Sequence, residues 1–312
     1  MSKAPFTIQP HLTAVAIAYR NGRMIADDVL PRVPVGAQEF TYYKYSVADA
    51  FTPVDDRVGR KSAPNQVALP STAVTDSTYD HALDDPVPYA DIENAKKNPA
   101  IGDPLLSSAE FVTSLVTLNR EIRTAGLVFA QGTYASSNRT LLSGTSQWSD
   151  FTNSDPVSAI TAGLDACIMR PNIGVFSRLT WSKLSQHPKI CKAVFGNNTD
   201  AGIAPRRAVA DLFELEDIYV GEGFVNTAKK GQPATMSRVW GKHAAFIFRD
   251  RTATNVRGTT FGFTAQWGQR IAGTIHDGSI GMRGGELVRS GESVKEVIAA
   301  NDLGYFFENA VA

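Results

Sequence analysis

The chain has 312 residues, 43% of them hydrophobic, enough for one large domain or two to three modest ones around a sizeable core. Lys plus Arg and Asp plus Glu both total 31, so the net charge is zero; the basic excess of a dedicated nucleic-acid binder is missing, and repulsion between copies is small. No apolar run approaches 18 residues, which argues against a helix crossing a membrane, and Met1-Ser2-Lys3-Ala4-Pro5-Phe6 reads as the start of a chain made in a reducing cytoplasm, not as a signal peptide.

Residues 1–34 alternate short apolar pieces with polar breaks. Thr13-Ala14-Val15-Ala16-Ile17-Ala18-Tyr19 is the clearest piece, followed by the turn signal Asn21-Gly22. Pro31 and Pro34 then impose an extended chain without ladder donors, so the segment reads as an arm lying on something, not as a core element. Phe40-Thr41-Tyr42-Tyr43-Lys44-Tyr45 is a strand by composition, and Val67 to Val74 is its expected return, demoted to an edge by Pro70. Between them lies a charged tip, Asp55-Asp56-Arg57-Val58-Gly59-Arg60-Lys61. A two-stranded hairpin is marginal alone in water, so this one needs a neighbour.

Residues 107–130 give the best helix. Ser107 and Glu110 have capping-box spacing, and Phe111, Leu115, Leu118, Ile122, Ala125 and Phe129 form one apolar stripe, with Glu110, Asn119, Arg120 and Arg123 on other faces. Residues 145–286 read as an α/β unit. Ser154 or Asp155 caps a helix with Pro156 at its first position and Ile160, Leu164 and Cys167 or Ile168 on its apolar stripe. A second helix carries Leu179, Trp181 and Leu184 and stops near His187-Pro188. Strand-like runs follow at 218–220, 244–248 and 259–264, and two more at 294–299 and 303–311. No internal repeat is present.

The usual signatures of chemistry are missing. There is no phosphate loop and no Gly-x-Ser-x-Gly elbow. The Gly-rich stretch from Gly278 to Gly285 opens no helix and reads as a loop. His11, His81, His187, His243 and His276 are scattered without ligand spacing, and Cys167 and Cys191 read as buried free thiols. The pairs Asp27-Asp28, Asp55-Asp56 and Asp84-Asp85 read as solvated loop or turn carboxylates, and Arg206-Arg207 is a weak nucleic-acid signal. No catalytic residue, metal ligand or cofactor is expected.

The order of these pieces resembles the tailed-phage major capsid proteins of the Hong Kong 97 type. The resemblance runs through most of the chain. Ile25 to Pro31 with Val33-Pro34-Val35 resembles the arm leading into the hairpin, and Tyr79 to Val87 the segment leaving it. Trp148-Ser149-Asp150 with Ser154-Asp155-Pro156 resembles the entry to the axial lobe. Pro171-Asn172, Trp181, Leu184 and His187-Pro188 resemble its central helix, and Val239-Trp240-Gly241 and Phe261-Gly262-Phe263-Thr264 its later strands.

The resemblance implies an α+β fold in five parts: an N-terminal arm (1–34), an extended β-hairpin or E-loop (35–90), a peripheral domain with a long spine helix (91–150), an axial domain (151–286) and C-terminal return strands of the peripheral domain (287–312). It implies no enzyme but a subunit that self-assembles in pentamers and hexamers into the icosahedral head around packaged double-stranded DNA. Portal protein, a separate scaffolding protein and a cement or decoration protein are the expected partners, with no membrane, and assembly in the host bacterial cytoplasm. The start at Met1 without a charged extension favours the separate scaffold. Asp55, Asp56, Arg57, Arg60 and Lys61 are the candidate inter-subunit contacts. Some such shells weld subunits through a Lys–Asn bond aided by a carboxylate; Lys44 and Lys61 lie in the hairpin, but no Asn and Glu partners match, so that chemistry is not carried over. The competing expectations are an encapsulin-like compartment with protein cargo, a hydrolase with a scattered Ser/His/Asp site, and a tube-forming virion protein.

Overall fold

The computed structural model describes residues 24–45, 51–67, 71–98, 102–196, 201–229 and 231–312. The apolar piece at 13–19, the turn at Asn21-Gly22, His11 and Pro70 lie outside the described residues.

Two sheets organise the chain. The first has the order β1 (Arg32–Val35), β11 (Gly262–Asp277), β12 (Gly285–Ile298), β4 (Tyr79–Pro88). β1 runs parallel to β11, and the other neighbours are antiparallel. Helix α3 (Pro104–Val128) lies on this sheet: Thr113 Oγ1 and Ser290 Oγ on β12 are 3.0 Å apart, and the Ser108 hydroxyl donates to Asp85 on β4 at 2.7 Å. Helix α2 (Tyr89–Lys97), which no sequence signal announced, packs Ile92 beside Leu105, Leu106 and Ala109 of α3.

The second sheet has the order β5 (Arg139–Leu141), β13 (Gly304–Glu308), β10 (Ala244–Ile247), β6 (Ile173–Ser177), β7 (Asp217–Gly221). Helices α4 (Pro156–Ala166), α5 (Arg178–Leu184), α6 (Pro188–Phe195) and α7 (Arg206–Leu212) share one core with it, through Ile160, Leu164, Trp181, Ile190, Val209 and Phe246. A second core holds Ile173, Val175, Ala245 and Phe306 from the sheet with Val29, Leu30 and Val128. A short hairpin, β8 (Phe224–Asn226) and β9 (Met236–Arg238), stands apart. The elongated hairpin is β2 (Glu39–Tyr45) with β3 (Ser71–Ser77), paired from Glu39↔Ser77 to Tyr45↔Ser71.

Several expectations are corrected. The spine helix starts at Pro104, not Ser107: the Asp103 carboxylate accepts from Leu105 N at 2.9 Å, while the Ser107 hydroxyl donates back to Asp103 O at 3.1 Å. Asp followed by Pro is a stronger start than the capping box, because Pro at the first position lacks an N–H that would be orphaned there. The expected apolar stripe is not the buried one. Ala109, Val112, Val116, Arg120, Thr124 and Val128 face inward, and Phe111 is 57% exposed. Arg120, Glu121 and Thr113 occupy the inner face because they are paired there, so hydrophobicity alone pointed to the wrong side.

Residues 24–35 are not a loose arm. Ala26–Val29 is a helical turn (α1) and β1 is a sheet strand, with Val29, Leu30 and Val33 buried. The return strand begins at Ser71, and Val67 is outside the ladder and exposed. The run at 259–264 opens β11, which belongs to the first sheet and not to the lobe, while β13 near the C-terminus completes the lobe's sheet. The expected division at 286–287 therefore falls inside β12. A long antiparallel pair cannot be cut without leaving backbone groups unpaired. The Gly-rich stretch forms the turn between β11 and β12, where Gly281 and Gly284 take φ of 58° and 77°, values that favour glycine.

Gly221, at the end of β7, abuts the buried Trp240 indole, and a Cβ there would fall within the ring. Gly221→Ala is expected to lower unfolding stability by about 1–3 kcal/mol, as overpacking does, with the loss read by denaturant melts.

Candidate assembly surface

The five expected contact residues lie together in the loop 51–67, and Asp55, Asp56, Arg57, Arg60 and Lys61 are all exposed. The loop is held by its own turns. Asp55 Oδ1 accepts from Arg57 N at 3.1 Å, Asn65 Nδ2 donates to Asp55 O at 2.8 Å, and Ser62 N donates to Gly59 O at 3.1 Å. Among the described residues no ion pair engages Arg57, Arg60 or Lys61. Phe51, Val54, Val58 and Val67 in the same loop are 67%, 53%, 49% and 74% exposed. Apolar side chains and unpaired charges thus face outward together, without a core beneath them.

The root of the hairpin is fixed. Phe40 and Tyr42 pack with Val33, Val35 and Phe263, and the Tyr42 and Phe263 rings meet edge to face at 6.1 Å. Thr78 N donates to Gln38 O at 2.9 Å, and Asn255 Nδ2 to Thr41 O at 3.1 Å. Lys44, on β2, sits 5.7 Å from the centre of the Tyr42 ring.

Behind the root lies a network that the sequence did not announce. The Glu121 carboxylate is fully buried. It accepts from Ile25 N at 2.9 Å, Ala26 N at 2.8 Å and Trp240 Nε1 at 2.6 Å. Burial pushes its carboxyl up; the donors from Ile25, Trp240 and Ala26 pull the other way. Beside it, the buried Arg120 pairs with Asp27 and donates to Thr264 Oγ1 at 3.0 Å. Arg32 bridges Asp27 at 2.7 Å and Glu292 at 2.8 Å, Arg270 meets Glu292 at 3.1 Å, and Arg123 meets Glu296 at 3.1 Å. For Asp27, burial alone would raise the pKa, but Arg120 and Arg32 outweigh it and hold the carboxyl at about 2. Glu292 is likewise lowered, with Arg32 and Arg270 overcoming burial.

The acidic pairs are therefore not simply solvated. Asp27 is in this network, Asp84 takes both guanidinium contacts of Arg289 at 2.7 and 2.6 Å, and Asp85 accepts from Ser108. Asp55 and Asp56 alone match the solvated reading. Arg206 meets Glu222 at 3.6 Å and Arg207 meets Asp211 at 3.2 Å. Among the described residues no cluster of His, Cys, Asp or Glu has metal-holding geometry. Cys167 and Cys191 are free and buried, and burial with the nearby Asp302 pushes the Cys167 thiol up to about 12.

Among the described residues one Ser–His pair exists, Ser154 Oγ and His187 Nε2 at 3.0 Å. The Ser154 hydroxyl donates to Asp150 O at 2.6 Å, so Nε2 is the donor in the pair, and Nδ1 accepts from Lys189 N at 3.2 Å. His187 is thus a neutral helix cap with no carboxylate on Nδ1. His243 Nδ1 accepts from Asn309 N at 2.9 Å in the same way.

No protein-family model matches the chain. The major capsid protein of Pseudomonas phage JBD67 is 56% identical over 312 residues, covering all of both chains. This chain belongs to the tailed-phage major capsid proteins. A phage-related protein of Bordetella bronchiseptica RB50 superposes with TM-score 0.74 at 19% identity over 97% of each chain. The capsid protein of cyanophage P-SCSP1u superposes at 0.59 and 9% identity, over 99% of this chain and 92% of that one. The fold of this capsid protein is the Hong Kong 97 type. It is a shell-building homo-oligomer of the virion.

Two outcomes follow from the geometry. Glu121→Gln turns an NH2 toward two of the N–H donors whichever way the amide sits; about 1–3 kcal/mol of stability should be lost, seen as a lower melting temperature with unchanged helix content. Burial, followed by Lys189, lowers the His187 pKa, and burial lowers that of His243. A depressed histidine contributes stability above its unfolded value near 6.5, lost as pH falls through the folded value. Asp27, held at about 2, contributes stability present above 3.8 and lost only as pH falls through about 2. Melting temperature should therefore drop as pH falls below about 6.5, and His187→Asn, which keeps a capping side chain, should shrink that drop.

Proposed function

We propose that the capsid protein forms rings of five and six around icosahedral axes of the phage head. The lobe built on α4 to α7 meets its copies at each ring centre. The β1–β11–β12–β4 sheet and α3 meet neighbouring rings. The hairpin loop 51–67 lies across an adjacent subunit. The observation that carries this is the loop itself: Phe51, Val54, Val58 and Val67 are exposed beside Arg57, Arg60 and Lys61. A segment with apolar side chains and no core is completed by a surface it does not own. Many modest interfaces repeated by symmetry then hold the shell, and Asp55, Asp56, Arg57, Arg60 and Lys61 set register by charge complementarity more than by affinity.

The shell encloses packaged double-stranded DNA and is assembled in the host bacterial cytoplasm with a portal protein and a separate scaffold; a cement protein is the further partner. Membership of the family supports these partners. The subunit acts as a structural component and not as an enzyme, and the cap geometry of Ser154 and His187 is consistent with that.

The test is Arg60→Glu, because among the described residues no ion pair or side-chain hydrogen bond engages Arg60. Monomer melting should be unchanged, while shell formation, followed by light scattering and negative-stain microscopy, should slow about tenfold at low salt, as rim charges act mainly on association rate. Assembly that proceeds at the normal rate would remove the charged tip from the mechanism.

A further inference from the structure

We propose that the hairpin β8–β9 binds the phosphate backbone of the packaged double-stranded DNA. The inference deepens the reading of a shell around a genome and rests on it. The whole chain is neutral, yet residues 223–248 carry Lys229, Lys230, Arg238 and Lys242 and no Asp or Glu. Among the described residues no ion pair engages Lys229, Arg238 or Lys242, whereas Arg178, Arg206 and Arg207 of the same lobe are each paired. Positive charge is thus concentrated, without counter-charge, on one projecting element.

The hairpin is built to hold those charges outward. Phe224 stands opposite Arg238 and Asn226 opposite Met236, so these four side chains share one face of the ribbon. The Arg238 guanidinium lies 4.4 Å from the centre of the Phe224 ring. An aromatic contact fixes a guanidinium without consuming its N–H donors, and among the described residues no acceptor takes them. Asn226 Oδ1 accepts from Ala228 N at 3.1 Å and Thr235 N at 2.9 Å, which sets the path of the chain around Lys229. At the root, Val239 N donates to Gly223 O at 3.0 Å, and Trp240 Nε1 donates to Glu121 at 2.6 Å. The ribbon therefore projects from the buried network and not from a loose loop. A two-stranded ribbon has the width that a DNA major groove admits, with phosphates on either side of it. Contact through phosphates carries no sequence information, as a shell that meets every stretch of its genome requires. An acidic protein is the other source of negative charge, and the test separates the two.

The test uses the full chain before assembly and a fluorescein-labelled DNA duplex of mixed sequence, with anisotropy followed across a NaCl titration. Lys229→Gln with Arg238→Gln should weaken binding about tenfold at low salt and make the slope of log affinity against log salt shallower by about two. Lys96→Gln with Lys97→Gln, which removes two exposed cations from α2, should change neither. Should the double variant lose stability, Lys229→Gln alone decides, because its side chain is exposed; the slope should then be shallower by about one. No binding by the unaltered chain at low salt, or equal weakening by the two pairs of substitutions, overturns the proposal. Shell formation is followed alongside. A hairpin variant that binds DNA normally overturns it too; if that variant also fails to form shells, the hairpin belongs to a protein contact. Hairpin-dependent DNA binding by a chain that never forms shells leaves this proposal standing and overturns the ring reading instead.

Discussion

A buried carboxylate in the middle of the spine helix is the constraint on which the rest of this subunit depends. Glu121 sits out of water, so every lone pair it presents must find a donor or cost free energy. It finds Ile25 N, Ala26 N and Trp240 Nε1. Those three groups belong to the entering chain and to the loop between β9 and β10. One side chain therefore decides where the N-terminal part meets the helix and where the lobe meets both. Arg120, its neighbour in sequence, does the same for the other sheet: Asp27, Thr264 and the Leu30 carbonyl converge on its guanidinium. Adjacent buried charges of opposite sign, both meeting α1 and each reaching a further element, lock the junction of α1, α3, β11 and the loop before β10.

Much of the fold was legible in the sequence because local signals were strong. Pro156 after Asp155 and the aromatic run of β2 each state their element without tertiary help, whereas His187-Pro188, expected only as the end of one helix, also begins the next. The resemblance then gave the family and the fold class. What could not be read was governed by pairing at a distance. The inner face of α3 carries Thr113, Arg120 and Glu121, residues that periodicity assigns to solvent, and only partners remote in sequence make their burial tolerable. The helical turn in Ala26–Val29 is four residues long and exists because Glu121 holds its first donors. α2 has no buried residue and so no periodic stripe to read.

The contact candidates show the opposite case. Their exposure was legible because Asp55 to Lys61 mixes charges with turn residues, and nothing folds over them. The same loop also exposes Phe51, Val54, Val58 and Val67, which a reading focused on charge left aside. Apolar residues in a loop without a core are the signal that would have marked the loop as a candidate interface from sequence. The subunit is thus ordered where its own chain supplies partners and unfinished where a second surface is required.

The first sheet carries a mechanical consequence. β11 spans 16 residues and β12 spans 14, paired side by side, with the ten-residue β4 flanking and β1 parallel on the far edge. Inter-strand hydrogen bonds lie across the strand axis. A pull along that axis loads the whole ladder in shear at once, whereas a pull across it would open the bonds one after another. The hairpin joins this sheet at both ends, through β1 into β2 and through β3 into β4. Tension applied at the hairpin therefore enters a tie of long strands, braced by α3 and by the Arg32–Glu292–Arg270 ion pairs that cross it. The element that cannot stand alone is anchored in the part of the subunit best built to resist stretching.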